Sequence, residues 1–162
     1  MNARFIASVV IGILLSFISV ALFTMWESMF QLHRIFRSSF LRGLAMLLGT
    51  NFSFDIISFL IRGNWDIVRF LAPALLAWIF VGYITGTIVK GPKNGFISGI
   101  LVWVIVMLLW ILISVVAGED LMALFQGNQL IRTLGGILSS FLAVAAGSIS
   151  GGFISGPEEA FY

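Results

Sequence analysis

The sequence predicts an all-α polytopic membrane protein: four transmembrane helices, a basic amphipathic helix at the membrane surface and a parallel internal repeat. Three observations lead there. The 162-residue chain is 60% hydrophobic and 10% charged, with a mean hydropathy of +1.10. A soluble domain carries about 25% charged residues, so these charges are too few to cover a water-facing surface. They are also segregated: 5–26, 70–89, 96–118 and 134–154 contain no Asp, Glu, Lys or Arg, and each run meets the roughly 20 apolar residues that cross hydrocarbon. Finally, Ile84-Thr-Gly-Thr-Ile-Val-Lys-Gly-Pro-Lys-Asn-Gly-Phe96 returns as Ile149-Ser-Gly-Gly-Phe-Ile-Ser-Gly-Pro-Glu-Glu-Ala-Phe161, with Ile, Gly, Gly, Pro and Phe unchanged. Two crossings separate the copies, which makes the repeat parallel.

The chain reads as one membrane domain over 1–162, with spans at about 5–26, 67–89, 96–117 and 134–155 and an interfacial segment at 29–61. The first span is longer than the about 7–15 residues of a signal-peptide core, and Ser19-Val20-Ala21 is a poor cleavage site, so the helix is expected to be retained. In Met29–Arg42, Met29, Leu32, Ile35, Phe36 and Phe40 share a helical face, with Arg34, Arg37 and Arg42 around the rest. Such a helix lies at a membrane surface with its Arg heads on lipid phosphates, or packs its stripe on the bundle.

The stretch 44–61 is apolar enough for a fifth span. However, Asn51 and Asp55 would lie near its middle, and an Asp at a helix centre costs about 2.5–3.5 kcal/mol on insertion scales. Two membrane-associated pieces, 44–50 and 53–61, are expected instead, with Asn51 and Ser53 able to cap a first turn. Asn64 and Asp66 start the second span. It is expected to run through Pro73 with a kink and to stop at Gly91-Pro92. After the third span, Glu119–Phe125 forms a short surface helix ended by Gly127-Asn128, and the fourth span starts near Thr133. Trp26 and Trp65 are interfacial anchors.

Six of the Lys/Arg residues (Arg34, Arg37, Arg42, Arg62, Arg69, Arg132) then share one side, against Arg4, Lys90 and Lys93 on the other. The positive-inside rule places the long segment in the cytoplasm, whereas a fifth span would group Arg34, Arg37 and Arg42 with Lys90 and Lys93.

Gly82/Gly86, Gly95/Gly99 and Gly147/Gly151 have the small-x-x-x-small spacing that lets membrane helices approach closely, either within the bundle or against a partner. Trp103, Met107 and Trp110 share a face of the third span, which is core packing or a groove for a lipid tail or quinone. Arg34, Arg37, Arg42, Lys90 and Lys93 are the candidate contacts to anionic lipid. The single His33 lies beside Arg34 and is expected at the surface. Asp55 becomes a functional candidate if it enters the membrane, with Arg62 or another basic group as its partner.

The chain has no cysteine, which excludes disulfides, Fe–S clusters and thiolate metals. Gly147-Ser-Ile-Ser-Gly151 resembles a serine-hydrolase turn superficially, but no histidine accompanies it. No catalytic, metal or cofactor-binding residue, no cofactor and no nucleic-acid partner is expected. Gly82-Tyr-Ile-Thr-Gly86 with Gly91-Pro-Lys-Asn-Gly95-Phe-Ile-Ser-Gly99 resembles small Gly-rich four-helix archaeal and bacterial membrane proteins of unknown function. The likeness covers 82–156 and implies a fold, with no activity or site residues.

The leading expectation is therefore a non-catalytic, multi-pass accessory or scaffold subunit in the cell membrane, bound to other membrane subunits or to copies of itself. The alternatives are an oligomeric channel or uncoupled transporter lined by Ser98, Ser114, Ser139, Ser140, Ser148 and Ser150, and a lipid- or quinone-binding protein.

Overall fold

Backbone amides in hydrocarbon have no water to bond, so apolar runs close their hydrogen bonds internally as helices. A computed structural model describes residues 3–24, 27–61 and 71–156 of the chain. Among these lie α1 (Ala3–Phe23), α2 (Glu27–Ser38), α3 (Phe40–Thr50), α4 (Ile56–Ile61), α5 (Pro73–Val89), α6 (Pro92–Val116), α7 (Leu121–Leu124) and α8 (Gly127–Ile154). Three helices are long and apolar enough to cross a membrane: α1, α6 and the Gln129–Ile154 part of α8; α5 is a shorter apolar helix of 17 residues. Trp26, Arg62, Asn64, Trp65, Asp66, Arg69, Pro157, Glu158 and Glu159 lie outside the described residues, as do the side chains of Met29 and Arg34.

Contacts between helices fix their directions. Ser8 bonds Ser98 while Gly12 abuts Val102, so α1 runs alongside α6 in the same sense. The tight Lys90–Gly91 link turns α5 back into α6. Gly82 abuts Val144 and Ser148, and Gly86 abuts Ser148 and Gly152, so α5 and α8 are parallel. The start of α1, the α5–α6 turn and the end of α8 thus share one end, the hairpin end. The opposite, loop end holds the end of α1, the start of α5, the end of α6 and the start of α8. The core between them gathers Leu48, Phe52, Trp78, Val81, Val102, Val106, Trp110 and Val144.

The α5–α8 contact is reciprocal. Gly147, 65 residues after Gly82, abuts Ile79 and Tyr83, which lie 65 residues before Val144 and Ser148. Gly151 likewise abuts Tyr83 and Thr87, the counterparts of Ser148 and Gly152.

Several elements differ from the sequence expectation. The expected span at 67–89 is not kinked by Pro73: within the described residues its helix begins there, after Ala72 in extended backbone at φ −57 and ψ 141. Proline disfavours helical backbone in the residue before it, and at the first helical position its missing N–H costs no bond. Gly127, expected to end the surface helix, instead starts α8, so the last span begins well before Thr133. The surface helix shrinks to α7, whose cap is Asp120, accepting from the Met122 amide at 3.1 Å.

The single amphipathic helix over 29–42 is two helices. Ser39 is extended at φ −157 and its hydroxyl accepts from the Arg42 amide, starting a new helix. Phe40 therefore leaves the stripe: Leu32 is buried, while Phe40 is 65% exposed. The stretch 44–61 is divided at 51–55. Asn51 and Phe52 are buried in the bundle; Ala45 is buried with them and Gly49 brings α3 close to the Trp110 ring, while Gly43 makes room for Phe36 of α2. Asp55, and not Ser53, caps α4, its Oδ1 accepting from the Ser58 amide at 3.0 Å.

Candidate functional site

The polar chemistry inside the bundle gathers where α3 stops. α3 runs antiparallel to α6: at the loop end the Arg42 Nε donates to the Ala117 carbonyl at 3.4 Å, and deeper in, Gly49 lies under the Trp110 ring. The α6 end is itself fixed by Gly118 at φ +74, which lets the Glu119 amide reach Ser114 O at 3.0 Å. From Val116 to Trp110 the axial rise is about 9 Å, so α3 carries the chain roughly that far below the rim. There the helix breaks over 51–55, and α4 follows. Both α3 and α5 start at the loop end. Irregular backbone at such depth is tolerated only when protein or a wet cavity satisfies its polar groups.

The bundle supplies those partners. The Trp78 indole Nε1 donates to Asn51 O at 2.8 Å, and the Asn51 Nδ2 donates to Ser16 O at 3.1 Å. Phe52 stacks on Trp110 with centroids 5.1 Å apart and tilts against Trp78 at 5.8 Å. On the other side the turn rests on α8. The Ser139 hydroxyl donates to Phe54 O, Gly136 abuts Phe52 O, and Gly135 abuts the Asp55 carboxylate. Any side chain at 135 or 136 would overlap the turn. One atom is left over: Asp55 Oδ2 is buried and accepts no hydrogen bond.

The residues singled out from sequence fall elsewhere. Gly82, Gly86, Gly147 and Gly151 all lie in the α5–α8 seam, while Gly95 and Gly99 of α6 press on Ser148. Trp103 and Trp110 do not share an open face: the Trp103 Nε1 donates to Ser140 Oγ at 2.9 Å with its ring edge-on to Phe141, and Trp110 is buried on Phe52. Met107, half-buried, packs beside the core between them. Arg37, Arg42, Lys93 and His33 are exposed, and Lys90 is half-buried. Lys93 and Lys90 sit at the hairpin end, away from Arg37 and Arg42. Of the six serines read as pore-lining, Ser98, Ser114, Ser139, Ser140 and Ser148 are buried between helices of this one chain; Ser150 is exposed. Among the described residues no group of three His, Cys, Asp or Glu comes together.

Sequence reasoning passed over Gly135 and Gly136, and read Ser139 as pore lining when it holds the turn. The available signal was a Gly-Gly pair followed within one turn by two serines inside a span, together with mid-span tryptophans whose N–H groups need acceptors. No protein-family model, curated protein or solved structure matches the chain. The resemblance over 82–156 therefore stands on its residues alone.

Proposed function

We propose that this chain is a non-catalytic multi-pass protein of the cell membrane that moves a small solute, with the re-entrant turn at 51–55 as its working part. It crosses four times, through α1, α5, α6 and α8. The observation that carries the reading is the broken helix about 10 Å below the rim, with a carboxylate oxygen of Asp55 buried and unpaired within it. Ionisable groups at membrane depth mark solute and ion paths, and helices broken near mid-membrane are how many carriers build their sites.

The competing readings lose support from the same geometry. An accessory subunit was to use the glycine strips for partner contact, but those strips are closed against this chain's own backbone. A quinone or lipid groove was to use Trp103 and Trp110, which are covered by Phe141 and Phe52. The reciprocal contacts of α5 and α8 support a duplicated helix related by an axis along the membrane normal. Exposed Phe30, Arg37, Phe40 and Arg42 at the loop end suit an anionic leaflet. Purified protein in lipid vesicles tests the function. Flux of small inorganic or organic cations above that of protein-free vesicles, lost when Gly136→Ala disturbs the turn, is the expected result. Flux equal to empty vesicles for every solute would refute it.

A further inference from the structure

We propose that the turn at 51–55 binds an alkali cation, held by Asp55 Oδ2 and backbone carbonyls of the turn. The inference rests on the turn being the working part and deepens that reading by naming its ligand.

Four features converge. Asp55 Oδ1 is occupied by the Ser58 amide, while Oδ2 is buried with no donor. An ionised oxygen taken out of water without a partner is costly enough that proteins pair it or bring a cation to it. Among the described residues, none donates to it. The carboxylate meets α8 at Gly135 through Oδ1, and Gly135 has no side chain to donate; Arg132, one turn nearer the surface, is exposed.

The second feature is the direction of α3. Its carboxyl end points into the bundle at Asn51, bringing the negative end of the helix dipole to the same place. Third, the Phe52 carbonyl abuts Gly136, next to the Gly135 that meets Asp55, so a neutral oxygen faces the same stretch of α8. Fourth, the donor chemistry is one carboxylate and carbonyl oxygens. Oxygen ligands suit hard cations, and a single carboxylate balances a single positive charge. Divalent ions draw on more carboxylates, and no group of three acidic or imidazole side chains forms among the described residues.

The test is thermal unfolding of the full-length protein in detergent, read by tryptophan fluorescence, in sodium or potassium chloride against choline chloride at equal ionic strength. The wild type should melt about 3–6 °C higher in the alkali salt at ten times its dissociation constant. Asp55→Asn keeps an oxygen to accept from the Ser58 amide but removes the charge, so it should melt at or above the wild type in choline and show no alkali shift. Should that variant fail to fold, a sodium titration of wild-type tryptophan fluorescence gives the answer independently, because Trp78 and Trp110 both contact Phe52 within the turn. A saturable change supports the site. Identical wild-type melting and fluorescence in sodium, potassium and choline overturns it, as does an Asp55→Asn protein that responds like the wild type. A cation-dependent melt without vesicle flux would leave the site standing and remove the transport reading; flux with a cation-independent melt would do the reverse.

Discussion

Gly136→Ala is the substitution that most directly interrogates the seat of the turn. A methyl there would lie 2.9 Å from the Phe52 carbonyl carbon and closer still to its oxygen. Carbon atoms pack at about 3.5–4.0 Å, so the turn must retreat from α8 by at least about 0.6 Å. The retreat strains the Ser139–Phe54 hydrogen bond, worth about 1 kcal/mol, and drives Phe52 into Trp110 and Trp78, an overpacking that costs about 1–3 kcal/mol. Against this stands a gain of about 1 kcal/mol from replacing glycine with alanine inside a helix. The net is a loss of about 2 kcal/mol, or about 4–8 °C in melting temperature for a chain of this size. Leu138→Ala, at an exposed position of the same helix, should melt close to the wild type. The assay is a thermal melt followed by tryptophan fluorescence. A Gly136→Ala protein that melts at or above the wild type would show that the turn does not rest on α8 as described.

Gly86→Ala places its methyl on the Ser148 carbonyl and 2.8 Å from the Gly152 amide nitrogen, both backbone; it should cost about 2–3 kcal/mol in reversible detergent unfolding. Lys90 stands at φ 62 and ψ 140, a conformation natural only to glycine; Lys90→Gly should therefore stabilise by about 1 kcal/mol, read as a raised melting temperature. The chain contains no cysteine, so single-cysteine labelling reports topology cleanly. Lys93→Cys and Arg132→Cys should react with an impermeant maleimide from opposite faces of sealed vesicles, and labelling from the same face would refute four crossings.

The long helices were legible because charge-free runs of spanning length leave a chain few alternatives. Boundaries set by one residue were not. Pro73 read as a kink because composition continues smoothly across it, yet proline acts on the residue before it, and that constraint started the helix. Ser39 broke an amphipathic pattern that ran unbroken through Phe40, since a capping hydroxyl outweighs periodicity locally. The break at Asn51–Asp55 was legible from its polar residues, whereas its depth was not. Depth follows from Ser16, Trp78, Trp110 and Gly136, which lie far apart in sequence and supply acceptors, donors and clearance only once packed. A Gly-x-x-x-Gly strip, likewise, reveals that something will approach closely, while its neighbour is chosen by the fold.

α8 runs unbroken from Gly127 to Ile154, and it serves two neighbours at once. Its residues 135–139 are the floor under Asp55, and its residues 147–152 are the rail along α5. Those two stations are separated by about 20 Å of stiff rod. The rail meets α5 through backbone and glycine, and the Gly91 amide donates to Gly152 O at 3.1 Å, tying the end of α8 to the α5–α6 turn. The α5–α6 turn, beside Lys90 and Lys93, is thus joined by one continuous helix to the floor of the turn at 51–55. The glycines that make the bundle tight also make α8 a single strut, fastened at the hairpin end and bearing the buried carboxylate's turn along its length.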